Sequence, residues 1–416
     1  MMSAKTGAGG AVNQAKGSFF GLGIAPGLLA VLDALTFTVP TPIQEKAIPI
    51  AIEGTDVVGV AQTGTGKTLA FGIPMIQRLA QGKGRGLVLV PTRELANQID
   101  EDLAKFVRAF KLRTAVVIGG ESMSRQIAQL RENPHVIIAT PGRLNDFIEQ
   151  RKVRLADISI LVLDEADRML DMGFLPQIER IIKLIPKKRQ TMLFSATMHP
   201  SVMRIASSHM HLPVRTEIAP SGTAPDLVTQ ELFFVQKGLK GFLLGQLLTE
   251  YTGSVLLFVR TKRSAARVAR TLRSMGHAAA ELHADRTQGQ RTEAMRGFKT
   301  GKFRILVATD IAARGIDVTD IELVVNFDLP DDIGNYVHRI GRTGRAGKPG
   351  RAITFATPDQ RNEVKDIELF MRAAIPVSRH SHVPTEEPTP APKAAAPRPA
   401  FGRSPRPSRR RLRGGR

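Results

Sequence analysis

Short apolar runs of four to six residues, each followed by a helical pattern, recur along most of this chain, and no other feature constrains its fold as strongly. Asp56–Ala61, Gly86–Val90, Thr114–Ile118, His135–Ala139, Ile158–Leu163 and Gln190–Phe194 form one series. Gln230–Val235, Ser254–Val259, Ala278–His283, Ile305–Ala308, Leu323–Phe327 and Ala352–Ala356 form a second, with helices such as Lys262–Met275 between them. Runs that are mostly apolar, not merely apolar at alternate positions, suit strands buried on both faces, and intervening helices make such a sheet parallel. The fold class is therefore α/β, with two parallel-sheet domains in tandem.

A length of 416 residues accommodates two such domains and extensions. The reading divides the chain into a leader at 1–17, a first domain at 18–218, a linker at 219–226, a second domain at 227–380 and a tail at 381–416. Ala219-Pro-Ser-Gly-Thr-Ala-Pro225 has the composition of an exposed linker, which would leave the domains free to move. The tail holds eight Pro, eight Arg and one Lys against Glu386 and Glu387. It cannot bury enough apolar surface to fold alone, so it is expected to be disordered.

Charge points to the partner. Lys and Arg number 59 against 38 Asp and Glu, a net +21; the tail supplies nine minus two, or +7, leaving +14 on the rest. Such an excess predicts a polyanion, with nucleic acid ahead of an anionic membrane surface. The absence of Cys excludes disulfides, thiol catalysis and Cys-ligated metals. No run approaches the roughly 18 to 20 apolar residues of a membrane span, and Met1–Ala11 lacks the apolar core of a secretory signal. A soluble, cytoplasmic protein is expected.

The chemistry begins at the end of the Asp56–Ala61 strand, where Gln62-Thr-Gly-Thr-Gly-Lys-Thr68 opens a helix. In such a P-loop the backbone amides of Thr63, Gly64, Thr65 and Gly66 approach phosphates. Lys67 supplies charge for the β and γ phosphates and Thr68 a hydroxyl for Mg²⁺. Ala61 stands where the general pattern has its first Gly. A carboxylate must complete the metal site, and Ile160-Leu-Val-Leu-Asp-Glu-Ala-Asp167 puts Asp164 and Glu165 at a strand end, where open α/β sheets bind ligands. Asp164 would anchor Mg²⁺, usually through water, and Glu165 would orient and deprotonate the attacking water. Alone, acids at a strand end are more often a helix cap; beside a P-loop they read as catalytic.

Asp164-Glu-Ala-Asp167 is also the signature of the DEAD-box RNA helicases, and the chain resembles that family over about Phe19–Ile375. The resemblance implies two RecA-like domains, ATP and Mg²⁺ as cofactors, and RNA as partner. Phe37 and Pro40-Thr-Pro-Ile-Gln44 resemble the Q motif, with Phe37 stacking on adenine and Gln44 reading its edge. Pro91-Thr-Arg-Glu-Leu95, Gly119-Gly120 and Thr140-Pro-Gly-Arg143 resemble first-domain RNA motifs, implicating Arg93, Gly120, Thr140 and Arg143. Singly, each of these is an ordinary surface turn. Ser195-Ala-Thr197 resembles the motif that couples ATP state to RNA.

In the second domain, Phe258–Lys262 and Gln288–Arg291 resemble the family's fourth motif and its neighbour, with Thr261 and Lys262 as phosphate contacts; either is equally a helix start. Ala308-Thr-Asp-Ile-Ala-Ala-Arg-Gly-Ile-Asp317 implies that Thr309 and Asp310 face RNA and Asp317 the ribose of ATP. Tyr336-Val-His-Arg-Ile-Gly-Arg-Thr-Gly-Arg345 implies Arg342 and Arg345 as arginine fingers at the γ phosphate and His338 as a contact to the coupling motif. Two positions depart from the family: Thr36 and Ala284 stand where Gly is usual.

The activity implied is RNA-stimulated ATP hydrolysis with local unwinding of short duplexes, binding RNA with little sequence preference. The alternative is an ATP-gated RNA clamp or scaffold that hydrolyses only to let go. The run Arg168–Phe174 and the basic tail resemble the bacterial RhlE-type branch, with ribosomal or degradation-machinery RNA–protein complexes as partners. The Arg-rich tail would be a tether to structured RNA.

Overall fold

A computed structural model of the chain describes residues 17–380 except 63, 83, 219–226, 314–320 and 345–347. Residues 1–16 of the leader, the linker and the tail therefore lie outside the described residues. The first lobe runs α1 (Pro26–Ala34), α2 (Pro42–Ile52), β1 (Val57–Val60), α3 (Lys67–Gln81), β2 (Arg85–Leu89), α4 (Arg93–Ala109), β3 (Thr114–Val117) and α5 (Met123–Arg131). It continues through β4 (Val136–Ala139), α6 (Pro141–Glu149), β5 (Ile158–Leu163), α7 (Ala166–Asp171), α8 (Leu175–Leu184), β6 (Gln190–Ser195), α9 (Pro200–His209) and β7 (Val214–Glu217). The second lobe runs β8 (Val228–Phe234), α10 (Lys240–Glu250), β9 (Val255–Phe258), α11 (Lys262–Ser274), β10 (Ala279–Leu282) and α12 (Gln288–Lys299). It ends with β11 (Ile305–Ala308), α13 (Asp310–Ala313), β12 (Leu323–Asn326), α14 (Gly334–Ile340), β13 (Gly350–Ala356) and α15 (Arg361–Met371).

The strands form two parallel sheets, in the orders β3-β4-β2-β5-β6-β1-β7 and β10-β11-β9-β12-β13-β8. Every residue of β1, β4, β9, β11 and β12 is buried, as continuous apolar runs require. Each sheet is packed on both faces. In the first lobe Phe71, Leu103 and Phe194 lie on one side and Leu87, Phe147 and Leu193 on the other. In the second, Phe258, Leu282 and Tyr336 oppose Leu247, Val268 and Phe355. Gly59 lets β1 and β6 meet closely, since a Cβ there would come within 2.5 Å of the Phe194 ring. That contact helps set the strand from which the Gly-rich loop departs.

β7 has no counterpart in the sequence reading. Val214-Arg-Thr-Glu217 is not an apolar run, yet it pairs in parallel with β1, Val57 opposite Val214. It is an edge strand with Val214 and Arg215 exposed, and edges carry charge because that discourages pairing with other chains.

Thr36 adopts φ 61°, the left-handed conformation that Gly takes without strain. Thr36→Gly should therefore stabilise the first lobe by roughly 0.5–1 kcal/mol, the strain relieved less the extra freedom of the unfolded chain. Denaturant melts of the two proteins check this, and a destabilised variant would refute it. Among the described residues no helix is long and apolar enough to cross a membrane.

Candidate active site and nucleic-acid interface

The loop after β1 turns into α3 through Gly64 at φ 83° and Gly66 at φ 89°. Gly66 is the cap of α3, and a Cβ on it would come within 2.4 Å of Gln44 Nε2. Gln44 Nε2 donates to the Gly66 carbonyl at 3.0 Å, and its Oε1 accepts from the Thr41 amide at 2.9 Å. Gln44 thus joins α2 to the phosphate-binding loop while one N–H and one lone pair stay uncommitted. Phe37 is 43% exposed, leaving its ring accessible to stacking. Thr65 Oγ1 donates to the Gln62 carbonyl at 2.7 Å, and Thr68 is half-buried one residue into α3. Thr63 lies outside the described residues.

Lys67 is buried, its Nζ has no hydrogen-bond partner, and it stands 4.0 Å from Asp164 Oδ1. An ammonium this buried and this poorly satisfied is costly unless an anion joins it. Asp164 follows β5 and accepts from the Glu165 amide at 2.9 Å. Burial pushes its pKa up to about 6, against the pull of Lys67. Glu165 has the left-handed φ of 50° and pairs with Arg168 Nη1 at 2.9 Å, both side chains buried. Burial raises its pKa, but Arg168, then Lys67 and Arg342, outweigh that effect and hold it below the usual value.

The second lobe brings Arg342 and His338 to the same place. Arg342 is buried just after α14, and its Nε donates to the His338 carbonyl at 3.3 Å. His338 Nε2 stands 3.8 Å from Asp167 Oδ2, and burial, aided by Arg168, holds the imidazole well below its usual pKa and therefore neutral. Asp317 and Arg345 lie outside the described residues.

Ser195 and Thr197 are gathered by Asp167. Asp167 Oδ2 accepts from the Ala196 amide at 3.1 Å and from the Thr197 amide and hydroxyl at 2.9 and 3.0 Å. The Asp167 amide donates to Ser195 Oγ at 3.3 Å, and Ser195 Oγ donates to the Thr197 carbonyl.

The residues assigned to RNA lie at strand ends or helix starts on both lobes. Arg93 begins α4, with its guanidinium against Gly119 and Gly120 (φ 76°). Thr140 precedes α6, and Arg143 donates to the Glu121 carbonyl at 2.7 Å. Thr261 caps α11 by accepting from the Ser264 amide at 3.1 Å, and Thr309 follows β11. Asp310 is engaged differently: both its oxygens accept from Arg339, at 2.5 and 2.7 Å.

Comparison with known proteins gives this geometry its context. Residues 41–205 match the DEAD/DEAH box helicase family and residues 239–347 the helicase conserved C-terminal domain. The chain is 43% identical to the ATP-dependent rRNA helicase RRP3 of Debaryomyces hansenii over 85% of its length and 74% of that protein's. It is likewise 43% identical to the ATP-dependent RNA helicase CshA of Listeria monocytogenes, over 84% and 68%. This chain belongs to the DEAD-box family of ATP-dependent RNA helicases. Its fold matches S. cerevisiae Dbp5 bound to RNA and ADP BeF3, with a TM-score of 0.80 and 33% identity over 87% of this chain and 95% of that one. Against Mss116 bound to ssRNA and UDP-BeF the TM-score is 0.81, at 26% identity over 87% and 79%.

Three features of this helicase were missed by sequence reasoning. Asp167, fourth in its own signature, is the hub that ties α7 to the 195–197 segment and faces His338. Arg339, 1% exposed, also donates to Asn326 Oδ1 and the Asp328 carbonyl and lies over the Phe258 ring; as the first of three arginines at a spacing of three it gave no sign of that burial. Glu94 and Arg291 join the lobes, Arg291 Nε donating to Glu94 Oε1 at 2.8 Å, beside a longer contact from Arg93 to Gln288. Both sit inside motifs read only for RNA.

Because the Glu94–Arg291 pair exists only when the lobes meet, Glu94→Gln should weaken the coupling between ATP and RNA. Each ligand's gain in affinity from the other should fall by the same factor, roughly 3- to 10-fold. Titrations of an ATP analogue with and without RNA, and the reverse, measure both factors; an unaltered coupling would exclude the pair from closure.

Proposed function

We propose that this helicase binds ATP between its lobes and works as an RNA unwinding enzyme in which lobe closure assembles the hydrolytic site. The observation that carries the reading is the convergence of Lys67 and Arg168 from one lobe and Arg342 from the other around Glu165. A cationic pocket with an unsatisfied Lys67 Nζ suits a polyphosphate. Phe37 and Gln44 take the adenine; Thr63, Gly64, Thr65, Gly66 and Lys67 the phosphates; Asp317 the ribose.

The oxygen donors of Thr68 and Asp164 fit Mg²⁺, a hard cation that completes its shell with phosphate and water. When bound, Mg²⁺ offsets charge on the phosphate oxygens. Glu165, kept ionised by its cationic neighbours, accepts a proton from the attacking water as that oxygen bonds to the γ phosphorus and the bridging oxygen leaves. Arg342 and Arg345 stabilise the charge that builds there.

RNA lies across both lobes against Arg93, Gly120, Thr140, Arg143, Thr261 and Thr309, mostly by phosphate and sugar contacts, hence with little sequence preference. Ser195, Thr197 and His338 report ATP state to that surface, and Asp167 joins them in the same network. The lobes correspond to domains at 18–218 and 227–380. The run Arg168–Phe174 and the Arg-rich tail support placement in the RhlE-type branch, acting in the cytoplasm on ribosomal or degradation-machinery RNA–protein complexes. The decisive experiment compares ATP turnover with and without single-stranded RNA and measures strand separation at the same turnover. RNA stimulation with separation is expected; stimulation without separation would favour a clamp.

A further inference from the structure

Helix α11, Lys-Arg-Ser-Ala-Ala-Arg-Val-Ala-Arg-Thr-Leu-Arg-Ser, contains five cations and no acid. Ala265, Val268, Ala269 and Leu272 bury its inner face, so the cations line the outer one. Lys262 pairs with Asp285 at 2.8 Å and Arg273 approaches Glu281 at 3.7 Å. Arg263, Arg267 and Arg270 are exposed and form no ion pair among the described residues.

This arrangement works against the helix. Lys262 and Arg263 occupy its first turn, where the dipole disfavours cations. Arg263, Arg267, Arg270 and Arg273 follow one another at spacings of four, three and three, where like charges repel across a turn. A solvated surface needs neither feature. The groove of about 790 Å³ between α11 and α10 is lined by Lys237, Arg260, Thr261, Ser264 and Arg267, and also by Asp328 and Asp359. Arg260 there is paired with Asp331 at 3.0 Å and approaches Glu363 at 3.8 Å, so the positive charge left for a ligand is mainly that of the arginine row itself.

The position of the row is informative. Thr261, the cap of α11, follows β9 at the same sheet edge as Thr309 and the start of α12, so the arginines lead away from the proposed RNA path down the outer face. Arg263 to Arg270 spans about 10 Å, the axial length of roughly three phosphates on one strand of a double helix. α11 contains no aromatic side chain on which an unpaired base could stack. Phosphate contacts alone suit RNA whose bases are already stacked in a duplex.

We propose that the outer face of α11, with the adjoining groove rim, is a second RNA site that holds the backbone of a duplex flanking the strand bound between the lobes. It rests on the RNA reading above. The site would keep an unwinding substrate at the enzyme through its duplex while the lobes act on the adjoining strand.

The test uses the full chain and the variant R263Q/R267Q/R270Q, with an ATP analogue present. Fluorescence anisotropy is read on a short single strand and on the same strand extended by a hairpin, across a salt series. The variant should lose roughly tenfold in affinity for the hairpin RNA, with a salt slope shallower by about 2–3, near 0.9 per lost phosphate contact. Its affinity for the single strand should hold, and its melting temperature should hold or rise, since the arginine row works against the helix. R267Q alone should give about a third of the slope change. Unchanged hairpin affinity and slope would overturn the proposal, as would equal losses on both RNAs or a lowered melting temperature. Wild-type protein that binds neither RNA would instead overturn the RNA reading itself, and this inference with it.

Discussion

Glu165→Gln should lower RNA-stimulated ATP turnover by roughly 10²- to 10⁴-fold, the contribution of a well-placed general base. The substitution keeps the shape of the side chain and leaves an amide oxygen for the Arg168 Nη1 that now donates to the carboxylate at 2.9 Å. What it removes is the negative charge that Arg168, Lys67 and Arg342 keep in place despite burial. Binding should survive, because the phosphate-facing cations lose an acidic neighbour and gain net positive charge. The variant should therefore retain ATP and RNA together and turn over slowly. Steady-state hydrolysis and nucleotide-dependent RNA affinity, measured side by side, provide the check. Turnover within a few-fold of wild type would remove Glu165 from the role of base.

Arg339→Met should destabilise the second lobe by about 3–5 kcal/mol, the cost of breaking a buried pair by deleting one partner. Arg339 donates to both oxygens of Asp310, to Asn326 and to the Asp328 carbonyl, which ties α14 to α13 and to the end of β12. Met fills much of the volume but leaves a carboxylate, an amide oxygen and a carbonyl without their donor. The loss should appear in denaturant melts of the isolated variant, without any nucleotide or RNA. This separates Arg339 from Arg342, three residues on, whose replacement should act mainly on hydrolysis. A stability change under about 1 kcal/mol would show that water or a neighbour replaces the arginine.

The missed β7 and the unread burial of Arg339 share a cause. Strand and helix assignments from sequence depend on apolar periodicity, and Val214-Arg-Thr-Glu217 has none; only the backbone of β1, with one side unpaired, makes it a strand. Likewise, three arginines at a spacing of three look equivalent along the chain. In the fold, Arg339 turns into its own lobe while Arg342 turns toward Glu165, because successive turns of α14 and the residue after it face different neighbours.

Other parts were readable because their physics is local. A loop that must bring amides to phosphates needs Gly64 and Gly66 at positive φ, and those glycines stand in the sequence as such. A sheet buried on both faces needs unbroken apolar strands, so the two-domain α/β architecture was evident from composition and period alone. Pairings between distant segments carry no such mark. That Gln44 holds the Gly66 carbonyl, that Asp167 gathers residues 195–197, and that Glu94 meets Arg291 depend on where the chain returns in space. Sequence by itself determined the elements other than β7, the groups proposed to react and the excess of positive charge. Only the tertiary structure decided which of those polar groups are buried together, since desolvation and partner geometry, which set their energies, exist only in the folded protein.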